Sequence, residues 1–320
     1  MHSTPRRLVS LALGTLALAA GATLFAQAPK KPLKIGFAQT GAESAWRTAN
    51  TESMKSEAAK RGIDLKFSDA QGKPENQIRA VRSFVTQGVD AIIIAPIVTT
   101  GWDPVLREAK RAHIPVILTD RAIQTSDESL FACFIGSDFT EEGRMAADWL
   151  AQHSGGKGNI VELQGTPGSD PANERRKAFA EGIAKYPGLK IIDSQSGNFE
   201  RSQGKVVMEA LLKKHGRAIN ILYAHNDDMA IGAIQAIEAA GLKPGTDITV
   251  VTIDAIKEAI QAIIDGKINC TVECNPLFGP KVYDTVAKIL AGEKVPKKIY
   301  NKDELFDSTN AAAVIASRQY

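Results

Sequence analysis

The chain has 320 residues, with 39 Lys and Arg against 36 Asp and Glu, 44% apolar and 23% charged residues, and a formal net charge of +3. These are the proportions of a soluble globular protein long enough for two domains of ordinary size. So small a charge excludes an electrostatic case for binding nucleic acid or an anionic membrane.

The first stretch, MHSTPRRLVSLALGTLALAAGATLFAQA, has a basic start at Arg6 and Arg7, an apolar run from Leu8 to about Ala20, and small residues before Pro29. That is the layout of a secretory signal peptide over residues 1–28, with a run too short for a membrane span. Removing it takes away two arginines and no acid, which lowers the charge from +3 to +1. The nearest cysteine is Cys133, so a lipid-anchored mature terminus is not expected.

From Leu33 strands and helices alternate. LKIGFAQ reads as strand, Ser44 to Arg61 as helix, DLKFSD as strand, Pro74 to Gln87 as helix, AIIIAP as strand, Trp102 to Arg111 as helix and PVILTD as strand. IIIAP and VILTD are apolar throughout, as parallel strands covered on both faces must be. The pattern then restarts with LFACFIGSD as strand, Thr140 to Gln152 as helix, NIVELQG as strand, Ala172 to Lys185 as helix and LKIIDSQ as strand. Arg201 to His215 follows as helix, then the strand NILYAHN, an amphipathic helix ending near Gly241, and the strand ITVVTID. This is too much for one sheet, so the expectation is an α/β protein of two doubly wound, parallel-sheet, Rossmann-like layers with a cleft between them. Phe131 to Asp138 is the candidate first crossing. Cys270 and Cys274 fall in one further strand, about 13 Å apart and beyond disulfide reach. An oxidising compartment would permit a bridge from Cys133 to one of them, but the expectation is three free buried thiols.

The carboxyl ends of the strands, where open α/β sheets bind ligands, repeat one chemistry. TGAESAWR supplies Glu43, Trp46 and Arg47, and TDR supplies Asp120 and Arg121. QGTPGSDPANERR supplies Asp170 and Arg175, SGNFER Phe199, AHNDD Asn226 and Asp227, TID Asp254, and TVEC Glu273. Carboxylates, guanidiniums and one amide beside aromatic faces suit a neutral polyhydroxyl ligand, since each hydroxyl both donates and accepts. A sugar ring's C–H face can lie on Trp46 or Phe199. A phosphate would instead call for a Gly-rich loop or excess positive charge. Taken singly, Asp170 or Asp227 could be a helix cap, Asp120 and Arg121 a surface ion pair, Arg175 a solvated helix residue, and Trp46 a staple. Their recurrence at strand ends in both halves favours a site. His225 reads as structural and Asp228 as a solvent-facing helix start. No nucleophile elbow, phosphate loop, dinucleotide fingerprint, metal-spaced His pair or calcium loop is present, so neither an enzyme nor a cofactor is expected. An exported sugar-acting enzyme would need two carboxylates flanking a scissile bond.

GAESAWR, KPENQIRAVRSFVTQGVDAIIIAPIVTTGWDPVLREAK, VELQGTPGS and YAHNDDMAIGAIQAI together resemble the periplasmic sugar-binding proteins of ABC transporters, the ribose-type class, over essentially the whole mature length. The resemblance implies a type I periplasmic binding protein fold, with one lobe from 33–137 plus 275–300 and the other from 138–274 plus 301–320. A three-segment hinge would join the lobes. It implies a monomer in the periplasm that captures a monosaccharide, galactofuranose or a similar furanose, and delivers it to an ABC permease. Carried over by position, the ligand contacts would be Glu43, Trp46, Arg47, Asp120, Arg121, Arg175, Phe199, Asn226, Asp254 and Glu273, with Asp227 closing the helix start or sharing the ligand. Where the class commonly has an aromatic pair after the first strand, this chain has Ala45 and Trp46 followed by Arg47, which disfavours a ribose-like stacking sandwich. Ribose, galactopyranose, arabinose and cyclic alcohols remain alternative ligands.

Overall fold

A computed structural model of the chain describes residues 1, 2, 4 and 31–320. The signal-peptide segment expected from the sequence falls almost wholly outside the described residues. Pro32–Tyr320 is one compact unit. In chain order its elements are β1 (Lys34–Gln39), α1 (Ala45–Lys60), β2 (Asp64–Asp69), α2 (Pro74–Thr86), β3 (Ala91–Ile94), α3 (Asp103–Arg111), β4 (Val116–Thr119) and β5 (Cys133–Gly136). There follow α4 (Phe139–His153), β6 (Lys157–Gln164), α5 (Asp170–Ile183), β7 (Gly188–Ser196), α6 (Arg201–His215), β8 (Ile221–Ala224), α7 (Asp227–Ala239), β9 (Thr249–Asp254), α8 (Lys257–Ile264) and β10 (Cys270–Glu273). The C-terminal part adds α9 (Gly279–Leu290), β11 (Lys298–Tyr300), β12 (Leu305–Asp307) and α10 (Ala311–Val314).

Two six-stranded sheets result, ordered β11-β5-β4-β3-β1-β2 and β12-β10-β9-β8-β6-β7. Every pairing is parallel except β10 with β12. The apolar runs behave as helix-covered parallel strands should, with every residue of β3, β4, β5, β8 and β10 buried. The edge strand β2, with alternating polar residues, is only half-buried. Between the sheets the chain passes after β5, after β10, and between β11 and β12. The candidate first crossing therefore needs narrowing: Cys133–Gly136 is a strand of the first sheet, and the passage follows it.

Helices α8 and α9 and strands β11 and β12 were not among the predicted elements. The two strands have three residues each, too few to show a period. Helix α7, expected to be amphipathic, is buried on nearly all sides, because the sheet covers one side and α6, packed on the same sheet, lies closely along another. Gly204 and Gly232 sit where the two backbones meet. All three cysteines are free and buried.

Candidate functional site

In each sheet parallel pairing puts the carboxyl ends of the strands on a common rim, where the switch in strand order opens a crevice, and residues of the two rims meet. From the first come Glu43, Ser44, Trp46 and Arg47 at the start of α1, with Asp120 and Arg121 after β4. From the second come Phe139 of α4, Pro171 and Arg175 of α5, Phe199 after β7, Asn226 after β8, Asp254 ending β9, and Cys274 after β10. These side chains converge so closely that about 20 Å³ is left open between them. A wider groove of about 920 Å³ adjoins it through Glu43 and Arg121, but exposed residues such as Gln71, Gly72 and Ser202 line that groove. The enclosed cavity is where buried charge converges.

The local backbone is shaped to aim these side chains. Asp120 (φ 65°), Phe199 (φ 66°) and Asp254 (φ 126°) all hold positive φ, uncommon for non-glycine residues and a marked outlier for a bulky one. At Asp120 the Arg121 N–H donates back to the Thr119 carbonyl at 2.7 Å, a tight γ-turn that points both side chains off the strand end. Gly165 leaves the space Phe199 occupies: a Cβ there would fall 1.9 Å from the ring's Cζ. Gly143 on α4 lets α5 approach, since a Cβ would lie 2.7 Å from the Arg175 carbonyl oxygen.

Three guanidiniums and three carboxylates line the cavity. Arg47 is the best satisfied: its Nε lies 3.0 Å from Glu43 Oε1, its Nη2 2.7 Å from Asp120 Oδ2, and its Nη1 donates to Gln39 Oε1 at 3.2 Å. Arg175 is held from behind by Glu142 (Nε to Oε2, 2.7 Å) and donates Nη1 to the His225 carbonyl at 2.6 Å, leaving Nη2 3.7 Å from Asp254 Oδ1. Arg121 has only longer contacts, 3.4 Å to Glu43 and 3.5 Å to Asp120. Among the described residues, Arg121 Nε makes no aligned hydrogen bond despite its burial, whereas Asp120 Oδ2 is held by its ion pair with Arg47. Such an unpaired donor marks where a ligand hydroxyl can bond.

The protonation balance follows from the same contacts. Burial opposes the Glu43 charge, yet Arg47 and Arg121 hold its carboxyl below the ordinary range. Burial, reinforced by Arg47, depresses Arg121. Burial pushes Asp254 well above the usual carboxylate range, with Asp227 and Glu142 adding to it and Arg175 opposing. Among the described residues no cluster could hold a metal ion.

Nine of the eleven predicted site residues meet here, and two do not. Asp227 is fully buried, but its carboxylate turns into the second half, accepting from Ile256 N at 2.8 Å and Thr271 Oγ1 at 2.9 Å. Glu273 is drawn to the C-terminal tail, where Arg318 Nη1 lies 2.5 Å and Tyr320 OH 3.0 Å from Oε1. Asn226 lines the cavity and is also the cap of α7: its Oδ1 accepts from Met229 N at 3.1 Å, and its Nδ2 donates to the Phe199 carbonyl at 3.2 Å. Asp228, expected to face solvent, is 4% exposed. His225 is structural as expected, its Nε2 3.0 Å from Glu162 Oε1 and its pKa lowered by burial. The sequence reading missed Phe139, over which Arg175 lies at 5.0 Å, together with Ser44, Pro171 and Cys274. Phe139 follows the strand end GSD and was open to the same strand-end argument, whereas Cys274 is an apolar residue with no signal of its own.

The periplasmic binding protein domain matches residues 35–294. The chain belongs to that family. A member from Escherichia coli, the galactofuranose-binding protein, is 51% identical over 294 residues, covering 91% of this chain and 89% of its own. Among solved structures, the periplasmic binding protein of the arabinose ABC transporter from Shewanella sp. ANA-3, bound to α- and β-L-arabinofuranose, superposes with a TM-score of 0.87. It is 50% identical and covers 89% of this chain and 95% of its own. A Mycobacterium smegmatis protein in complex with β-D-fucofuranose also gives 0.87, at 55% identity over 90% and 95% of the two chains. As a family member the chain has the two-lobed, parallel-sheet α/β fold of type I periplasmic binding proteins, and the family is one of binding proteins rather than enzymes.

Proposed function

We propose that the chain captures a neutral monosaccharide in furanose form, galactofuranose or a near relative such as arabinofuranose, between its two lobes and presents it to the permease of an ABC importer. The observation that carries this reading is the enclosed cavity at the facing strand ends, where three carboxylates offset three guanidiniums beside aromatic faces. Balanced charge lets the site bury itself without a bare ion, and the part-satisfied Arg121 and Asp120 offer donors and acceptors to ring hydroxyls. The furanose-bound relatives at 50% and 55% identity support the ring form.

The ligand contacts are Glu43, Trp46, Arg47, Asp120, Arg121, Arg175, Phe199, Asn226 and Asp254. The lobes are 33–137 plus 275–300 and 138–274 plus 301–320, turning about the three passages between the sheets. Only the closed form contacts the ligand from both sides, so binding favours closure. The protein acts as a monomer in the periplasm, exported by the segment 1–28. Thermal unfolding against a panel of pentoses and hexoses tests this, since a ligand at 100 times its Kd adds about 2.7 kcal/mol to the native state. A raised Tm with galactose or arabinose is expected. No shift with any sugar overturns the ligand class.

A further inference from the structure

Beside the cavity, two carboxylates of the second lobe reach across to backbone N–H groups of the first. Asp228 Oδ2 accepts from Ala45 N at 2.9 Å, the first amide of α1 and one that the helix itself leaves unpaired. Its other oxygen is fixed by Arg201, whose Nε and Nη2 lie 3.1 and 3.0 Å away, and Arg201 is in turn held by Glu258 at 2.7 Å. On the opposite flank Asp170 Oδ2 accepts from Ala122 N at 2.8 Å, and the Gly168 carbonyl accepts from Thr99 N at 3.0 Å. Neither Asp170 nor Asp228 lines the cavity. Each bonded amide is nonetheless next to ligand-facing residues: Ala45 precedes Trp46 and Arg47, and Ala122 follows Arg121.

We infer that Asp228 and Asp170 are clasps of the closed form, positioning residues that set sugar affinity through the stability of closure and not by touching the sugar. The physical ground is that both bonds join the lobes and must break when the lobes part, while a carboxylate facing a backbone N–H makes a charge-assisted bond. A bond present only in the closed state deepens that state and slows ligand escape. The Asp228 clasp is the firmer, because Arg201 holds the carboxylate in place before closure. Asp170 has no comparable cation on its own lobe. The inference rests on the cavity being the solute site, and its test separates the two ideas.

The full-length exported protein, with Asp228→Ala and Asp170→Ala singly and together, is mixed with D-galactose and L-arabinose in stopped-flow tryptophan fluorescence. The expected result is a dissociation rate raised about tenfold by each substitution, the scale of one hydrogen bond to a charged group. The association rate and the sugar-free Tm should stay close to those of the parent. Asp228→Asn, which keeps an oxygen facing Ala45 N, recovers most of the loss. An unchanged dissociation rate overturns the clasps, as does a fall in sugar-free Tm that accounts for the weakened binding. If the parent binds neither sugar, the ligand reading fails by itself. The clasps are then judged by spin-label distances between Glu75→Cys and Glu209→Cys in the sugar-free protein. The double clasp variant must lose the short-distance population, and identical distributions overturn the proposal.

Discussion

Arg121 and Arg47 stand a few ångströms apart in the same cavity, yet their removal should have opposite consequences for the sugar-free protein. Arg47 is closely held by Glu43 at 3.0 Å and Asp120 at 2.7 Å, so Arg47→Met strands two buried acids and should cost about 3–5 kcal/mol of stability. Arg121 has no carboxylate oxygen nearer than 3.4 Å, and burial and neighbouring arginines depress its pKa. Its charge is a burden on the empty site, tolerated for what it offers a ligand. Arg121→Met should therefore leave the sugar-free Tm unchanged or raised, while lost charged hydrogen bonds weaken sugar binding by about 2–5 kcal/mol. At about 1.4 kcal/mol per factor of ten, that is a loss of roughly 30-fold to several thousand-fold. Calorimetric titration with the sugar that raises Tm, alongside melts of both variants without sugar, measures the two quantities. The reasoning fails if Arg121→Met lowers the sugar-free Tm as far as Arg47→Met does, or if affinity changes less than threefold.

Three further outcomes are expected. Gly165→Ala should drive the Phe199 ring out of its place and into the cavity, lowering affinity at least tenfold by titration while the far-UV circular dichroism stays native. Glu273→Ala should leave sugar affinity within threefold and lower Tm, because its Oε1 serves both Arg318 and Tyr320 in bonds worth about 1.5–3 kcal/mol to a charged group; a large affinity loss would restore it to the site. Asp227 is pushed up to about 7, chiefly by burial, so the folded state binds the extra proton. Its contribution is full below about pH 4 and is lost as pH rises toward 7, by up to about 1.4 kcal/mol per pH unit. Denaturant melts from pH 5 to 7.5 should show the parent losing stability relative to Asp227→Asn; a constant difference would refute the assignment.

The two-layer α/β architecture was legible in the sequence because the signals behind it are local. Runs such as IIIAP and VILTD cannot stand in water on either face, so helices must cover both, and alternation with helical stretches then leaves few arrangements. The rim residues were legible for a related reason: a polar group at the end of an apolar strand has no place in the core. What tertiary structure decided was the direction each of them faces. Asp227 and Glu273 sit at strand ends like the others, but donors from distant segments claim them: Thr271 and Ile256 for the first, and the C-terminal tail behind the short edge strand β12 for the second. Asp228 turned out to span the cleft because its partner, Ala45 N, lies 183 positions away in the chain. A carboxylate goes to whichever donors the fold brings within about 3 Å, and that distance is set by how the two sheets face each other, which no local pattern of residues encodes.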